Sequence, residues 1–121
     1  MVAYRHSRKP TAGQTMSESY VVAISTASSK EEAHKLAAAL VGEKKAACVQ
    51  MMPIDSCYFW EGKVNNDPEI LLLIKARKSH SKDIKRIIMA NHSYKVPEII
   101  FLDVTDGSSD YFNWISSVTQ D

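Results

Sequence analysis

Long hydrophobic runs are missing from this 121-residue chain. The strongest, ILLLI from Ile70 to Ile74, is far short of the roughly 18 apolar residues a membrane helix needs, so no membrane span is expected. A dominant charge is missing too. Fifteen Lys and Arg stand against fourteen Asp and Glu, leaving +1, and so weak a balance gives no global pull toward nucleic acid or an anionic membrane. Cysteine is scarce: Cys48 and Cys57 lie nine positions apart. On one extended strand that spacing is about 30 Å, which excludes a disulfide within the chain and suggests a reducing, cytoplasmic setting. Catalytic signatures are also absent. There is no nucleophile elbow, no glycine-rich phosphate loop and no Cys–His pair at an identifiable spacing, so the chain is not read as an enzyme. The first nineteen residues, MVAYRHSRKPTAGQTMSES, lack the apolar centre of a secretory signal and read as a flexible leader, with Met16 as an alternative start.

What remains is one domain over residues 20–119. At this length folding buries about 65% of the extended chain's surface, enough for one modest core. YVVAIST (Tyr20 to Thr26) is a short β-branched run and reads as a strand. Ser28 with Glu31, or Ser29 with Glu32, has capping-box spacing; Ala33, Leu36, Ala37, Leu40 and Val41 then recur at helical period, and Gly42 offers a left-handed stop. AACVQMM (Ala46 to Met52) is a second strand, in which Pro53 marks an edge or a bulge, and extended chain resumes from Ile54 to Trp60. EGKVNNDP is expected to turn, and EILLLIKAR to form a third strand apolar on both faces. Ser79 or Ser81 would cap a second helix with Ile84, Ile87 and Ile88 inward, ending near Asn91. EIIFLDV (Glu98 to Val104) is the fourth strand, and Tyr111, Trp114, Ile115 and Val118 stripe a short terminal helix. The order βαββαβ plus one helix is the ferredoxin-like α+β arrangement, an antiparallel sheet with two helices on one face.

Three constellations bear on function. Lys75, Arg77, Lys78, Lys82, Lys85 and Arg86 form a basic cluster opposed by Asp83, read as a solvated face rather than a phosphate surface, so no nucleic-acid partner is expected. His6 and His34 read as surface residues, while His80 and His92 bracket the second helix about 18 Å apart and cannot chelate one ion together. His92 lies in NHSYKVPE, six residues before Glu98 across a proline-containing loop. A hydrogen-bonding loop histidine is the plainer reading.

The third constellation is CYFWEGKVNNDPEILLLIKAR, residues 57–77. Its arms, from Cys48 to Trp60 and from Glu69 to Arg77, exceed the usual five or six residues of a strand, and two helices cannot cover that length. Tyr58 and Trp60 fall on one face, Cys57 and Phe59 on the other. Aromatic area on both faces of a projecting hairpin needs a cover, and the economical one is a neighbouring copy. A cleft between copies would then be lined by Tyr58, Trp60, Glu61, Lys75 and Tyr94.

These residues resemble the CutA family of divalent-ion tolerance proteins. The likeness is carried by AACVQMMPIDSCYFWEGKVNNDPEILLLIKAR and NHSYKVPEIIFLDVTDGSSDYFNWI and covers residues 20 to 118. It implies a ferredoxin-like subunit assembled as a homotrimer through long hairpins, and a role in tolerance of copper or another divalent cation that folding does not require. It also implies a likeness to the PII signalling trimers, which take small effectors in clefts between subunits; effector binding is the alternative function. His92 and Glu98 match the His and Glu of the family's NHPYEVPE-like segment and carry over as metal residues. Ser25 stands where some bacterial members have Cys, Ser93 where Pro is usual, and Lys95 where Glu or Gln is common; losing a thiolate and gaining a cation both weaken copper binding.

Overall fold

The computed structural model describes residues 18–119. The leader expected over 1–19 therefore lies outside the described residues except for Glu18 and Ser19. Four strands, β1 (Tyr20–Ala27), β2 (Cys48–Trp60), β3 (Lys63–Arg77) and β4 (Ile100–Asp103), form one sheet, and three helices, α1 (Lys30–Gly42), α2 (Ser81–Asn91) and α3 (Ser109–Val118), pack on it. The strand order is β2-β3-β1-β4, every pair antiparallel. This is the expected ferredoxin-like α+β topology.

Alternation decides the two faces of the sheet. Ile70, Leu72, Ile74 and Ala76 of β3 point to one side, where they join Val21, Ala23, the α1 residues Leu36 and Leu40, and the α2 residues Ile84, Ile87 and Ile88 in the buried core. Each such large side chain contributes roughly 1.5–3 kcal/mol by leaving water. On the other side, among the described residues, only α3 provides a cover, and only at one end: Tyr20 stacks on Phe112 at 4.6 Å between ring centroids, Tyr20 and Ser116 share a hydroxyl hydrogen bond of 2.6 Å, and Ile115 is buried beside Ala47. The remainder of this open face carries Val22, Ile24, Leu71 and Leu73, all half-buried, and Met52, Ile100 and Leu102, all exposed.

Several local expectations are corrected. The Ser29 hydroxyl does cap α1, accepting from the Glu32 backbone N–H at 3.1 Å, but the Glu32 carboxylate reaches one residue further back than a capping box, to the N–H and hydroxyl of Ser28 at 2.9 Å each. Gly42 closes the helix without a positive φ; Lys44, at φ 60°, makes the left-handed turn instead. Neither Ser79 nor Ser81 caps α2, which continues from a 3₁₀ turn over Lys78–His80. The fourth strand is shorter than Glu98 to Val104. The largest difference is in EGKVNNDP, where only Glu61 and Gly62 turn, at φ 51° and 78°, and β3 already begins at Lys63. Two residues at positive φ match the twist of the flanking strands, so Val64 to Pro68 remain paired.

Both prolines in the hairpin keep the ladder intact. Pro53 pairs with Ile70 and Pro68 with Asp55, without a bulge. A residue lacking an N–H fits only where that group would point outward. Pro53 thus belongs to the edge reading of β2, and Pro68 sits where β3 has itself become an edge.

Candidate functional site

β1 ends at Ala27, which pairs with Ile70. Beyond that rung residues 63–69 of β3 pair only with β2, so a two-stranded ribbon runs on for roughly 20 Å at 3.4 Å per residue. The lane vacated by β1 is taken by the segment between α2 and β4, residues 92–99. Its Tyr94 hydroxyl donates to Glu69 Oε2 at 2.8 Å, tying segment to ribbon. Burial and the bond to Glu69 both push the Tyr94 phenol's pKa up, so the hydroxyl stays a donor.

Between ribbon and segment lies a cleft of about 710 Å³, bounded by Tyr58 and Trp60 of β2, Glu61 of the turn, Glu69 of β3, and Tyr94 and Glu98 of the segment. Lys95 and Cys57 also reach its wall. The Trp60 indole N–H donates to Glu61 Oε1 at 2.9 Å. The Tyr58 hydroxyl donates to Asp67, and this bond, ahead of desolvation and the neighbouring Asp67 and Glu69 charges, raises its pKa.

His92 stands behind this wall with its side chain buried. Its Nε2–H donates to the Thr26 carbonyl at 2.6 Å and its Nδ1 accepts the Tyr94 N–H at 3.0 Å. These partners assign the neutral Nε2–H tautomer. Its ring lies 4.7 Å from that of Tyr94. Glu32 completes the anchor: Oε2 accepts the Ser93 N–H at 2.7 Å and lies 3.8 Å from His92 Nδ1. Burial alone would raise the Glu32 pKa, but hydrogen bonds from Ser93 and Ser28 outweigh it and bring it from 4.5 to about 2.

Tyr58, Trp60, Glu61 and Tyr94, expected to line a cleft between copies, border one cleft within this chain. Lys75 does not join them within one chain. It pairs with Cys48 at the opposite end of the hairpin and donates to Gln50 Oε1 at 2.7 Å. His92 and Glu98 are likewise kept apart: Glu98 faces this cleft, whereas His92 borders a smaller polar hollow with Ser28, Glu32 and Ser93. Glu69 and Glu32 acquire roles that spacing did not indicate. The only hint for Glu69 was its place at the head of an apolar run.

A divalent ion needs donors converging at about 2.0–2.6 Å. Among the described residues no three His, Cys, Asp or Glu side chains come together in that way, both nitrogens of His92 are engaged, and position 25 offers a buried hydroxyl, Ser25. The described residues of one chain therefore do not fit a complete metal site. Three of the six residues of the basic cluster are ion-paired, Lys78 with Asp103 at 2.9 Å, Arg86 with Glu43 at 3.4 Å and Arg77 with Glu18 at 3.3 Å; Lys78 and Arg86 are exposed, whereas the Arg77 side chain is largely buried. No helix among the described residues is long and apolar enough to cross a membrane.

Comparison with known proteins gives a consistent result. The family described as CutA1 divalent ion tolerance protein matches residues 21–118. The chain is 45% identical over 101 residues to Protein CutA, chloroplastic, of Arabidopsis thaliana, an alignment covering 83% of this chain and 56% of that protein. The divalent-cation tolerance protein CutA of Yersinia pestis is 39% identical over 98 residues, with 80% and 82% covered. In three dimensions the fold is similar to the crystal structure of CutA1 from Oryza sativa, with a TM-score of 0.83 and 40% identity over 85% of this chain and 95% of that one.

Proposed function

The chain belongs to the CutA1 divalent ion tolerance family, and from that premise we propose that it works as a homotrimer in the cellular response to copper or another divalent cation, with the ion held by groups from more than one chain. The observation that carries the assembly is the uncovered apolar surface: Phe59 is 71% exposed and Val64 63% on the ribbon, and Ile100 and Leu102 are about half exposed on the open sheet face. Surfaces of that kind are normally covered by a partner. The incomplete donor set of one chain supports an ion site completed by a second. Glu98, open in the cleft, and His92, once its Nδ1 leaves the Tyr94 N–H, are the donors we assign to it.

Light scattering tests the assembly, with three times the 13.5 kDa chain mass expected; a stable single-chain mass would overturn it. Calorimetric titration of copper and zinc into wild type, His92→Ala and Glu98→Gln tests the ion site. Loss of heat in the variants is expected, and negligible heat in wild type would remove the ion-binding reading. A cytoplasmic setting belongs to the same proposal and rests on two free thiols, Cys48 and Cys57. Localisation of the tagged full chain to another compartment would overturn it.

The cleft favours a second reading, binding of a small effector as the PII-like likeness implies. Its volume lies within the roughly 300–1,000 Å³ of small-molecule sites.

A further inference from the structure

Resting on this effector reading, we propose that the cleft beside the ribbon binds a small organic cation, an ammonium carrying an apolar body, between the rings of Tyr58, Trp60 and Tyr94 and the carboxylates of Glu61, Glu69 and Glu98. All six side chains border one cavity. Three carboxylates face a single ammonium, Lys95, at the exposed rim, which leaves a formal charge of minus two and disfavours an anion. A bare divalent ion is a poor match, because the carboxylates are spread around about 710 Å³ and do not converge. A neutral apolar molecule would leave that charge unanswered. A diffuse cation answers both features, since aromatic faces attract ammonium groups and dispersed carboxylates match a charge spread over several atoms.

Two local arrangements support a formed site. Glu61 holds φ 51°, a left-handed conformation that Asn or Gly adopts more readily than Glu, and its carboxylate is fixed by the Trp60 indole N–H. Glu69 is likewise fixed by the Tyr94 hydroxyl at 2.8 Å. Ring and carboxylate are thus oriented in pairs before any ligand arrives, which lowers the ordering cost of binding.

The test uses the full chain in its native assembly and three probes: choline, its neutral isostere 3,3-dimethyl-1-butanol, and citrate. Choline is expected to raise the melting temperature in a dose-dependent manner and to give a saturable calorimetric isotherm, while the other two do neither. Trp60→Leu should weaken choline at least tenfold. Glu98→Gln, at an exposed position that folding tolerates, provides the check should Trp60→Leu fail to fold, and should weaken choline severalfold. Equal binding of the isostere, or unchanged choline affinity in Glu98→Gln, overturns the assignment of a cation site. Citrate binding without choline binding overturns it while leaving the effector reading intact, and silence from all three probes removes both.

Discussion

The two halves of β3 are one strand with one alternation and opposite surroundings. From Ile70 to Lys75 it lies between β1 and β2, it keeps β1 to Arg77, and Leu72, Ile74 and Ala76 are fully buried beneath the helices. From Lys63 to Glu69 it keeps only β2, and Val64 is mostly exposed. The difference lies not in strand propensity but in where β1 stops. One half makes the fold, while the other carries cleft, ribbon and uncovered surface.

That division can be broken most forcefully from the sheet side. Leu72→Ala should cost about 2–5 kcal/mol in denaturant unfolding, whereas Val64→Ala in the ribbon should stay within about 0.5 kcal/mol for the folded chain; equal losses would mean that the halves are not distinct. Next comes the anchor of the cleft wall. Glu32→Gln should cost roughly 1–3 kcal/mol, and the effect depends on pH. Because the folded pKa is depressed, from 4.5 to about 2, the wild-type contribution is complete above about pH 4.5 and fades as pH falls toward 2. An acid-unfolding series in which variant and wild type converge over that window would bear this out; parallel curves would not.

A third change acts on association alone. Phe59→Asp with Val64→Asp, cross-strand partners on one ribbon face, should weaken assembly at least tenfold, roughly 1.4 kcal/mol, with circular dichroism unchanged. Retention of the wild-type mass by light scattering would place the contact elsewhere. The smallest effect is at the turn. Glu61→Asn should raise stability by about 0.5 kcal/mol, because Asn accepts positive φ more readily, and a lower melting temperature would show that the Trp60–Glu61 bond outweighs the strain.

Periodicity made most of the fold legible. The isoleucines of α2, the edge placement of Pro53 and the excess length of the hairpin all follow from spacing. The composition of VNNDP points to a turn, since Asn, Asp and Pro favour turns, whereas cross-strand pairing with β2 holds these residues extended. Tyr58, Trp60 and Glu61 were legible as cleft residues because they share one arm of a hairpin. Within one chain Lys75 stands at the other end of the hairpin from that arm's tip, and the partners of the His92 ring, the Thr26 carbonyl and the Tyr94 N–H, are not visible in the sequence. Glu32 and Glu69 act across 61 and 25 positions respectively, a range at which only the folded topology makes neighbours.

The two prolines of the ribbon bear on how the proposed assembly would stop. A ribbon with bare edges and apolar faces is the raw material of filaments, in which strand adds to strand without limit. Pro53 interrupts the outer edge of β2 and Pro68 the edge of β3 that pairs with no strand beyond Ile70, so neither edge offers an unbroken row of donors to an incoming strand. In the proposed assembly, association through the faces stays open while strand addition along the edges is disfavoured, which favours a small closed set of chains over an open-ended one.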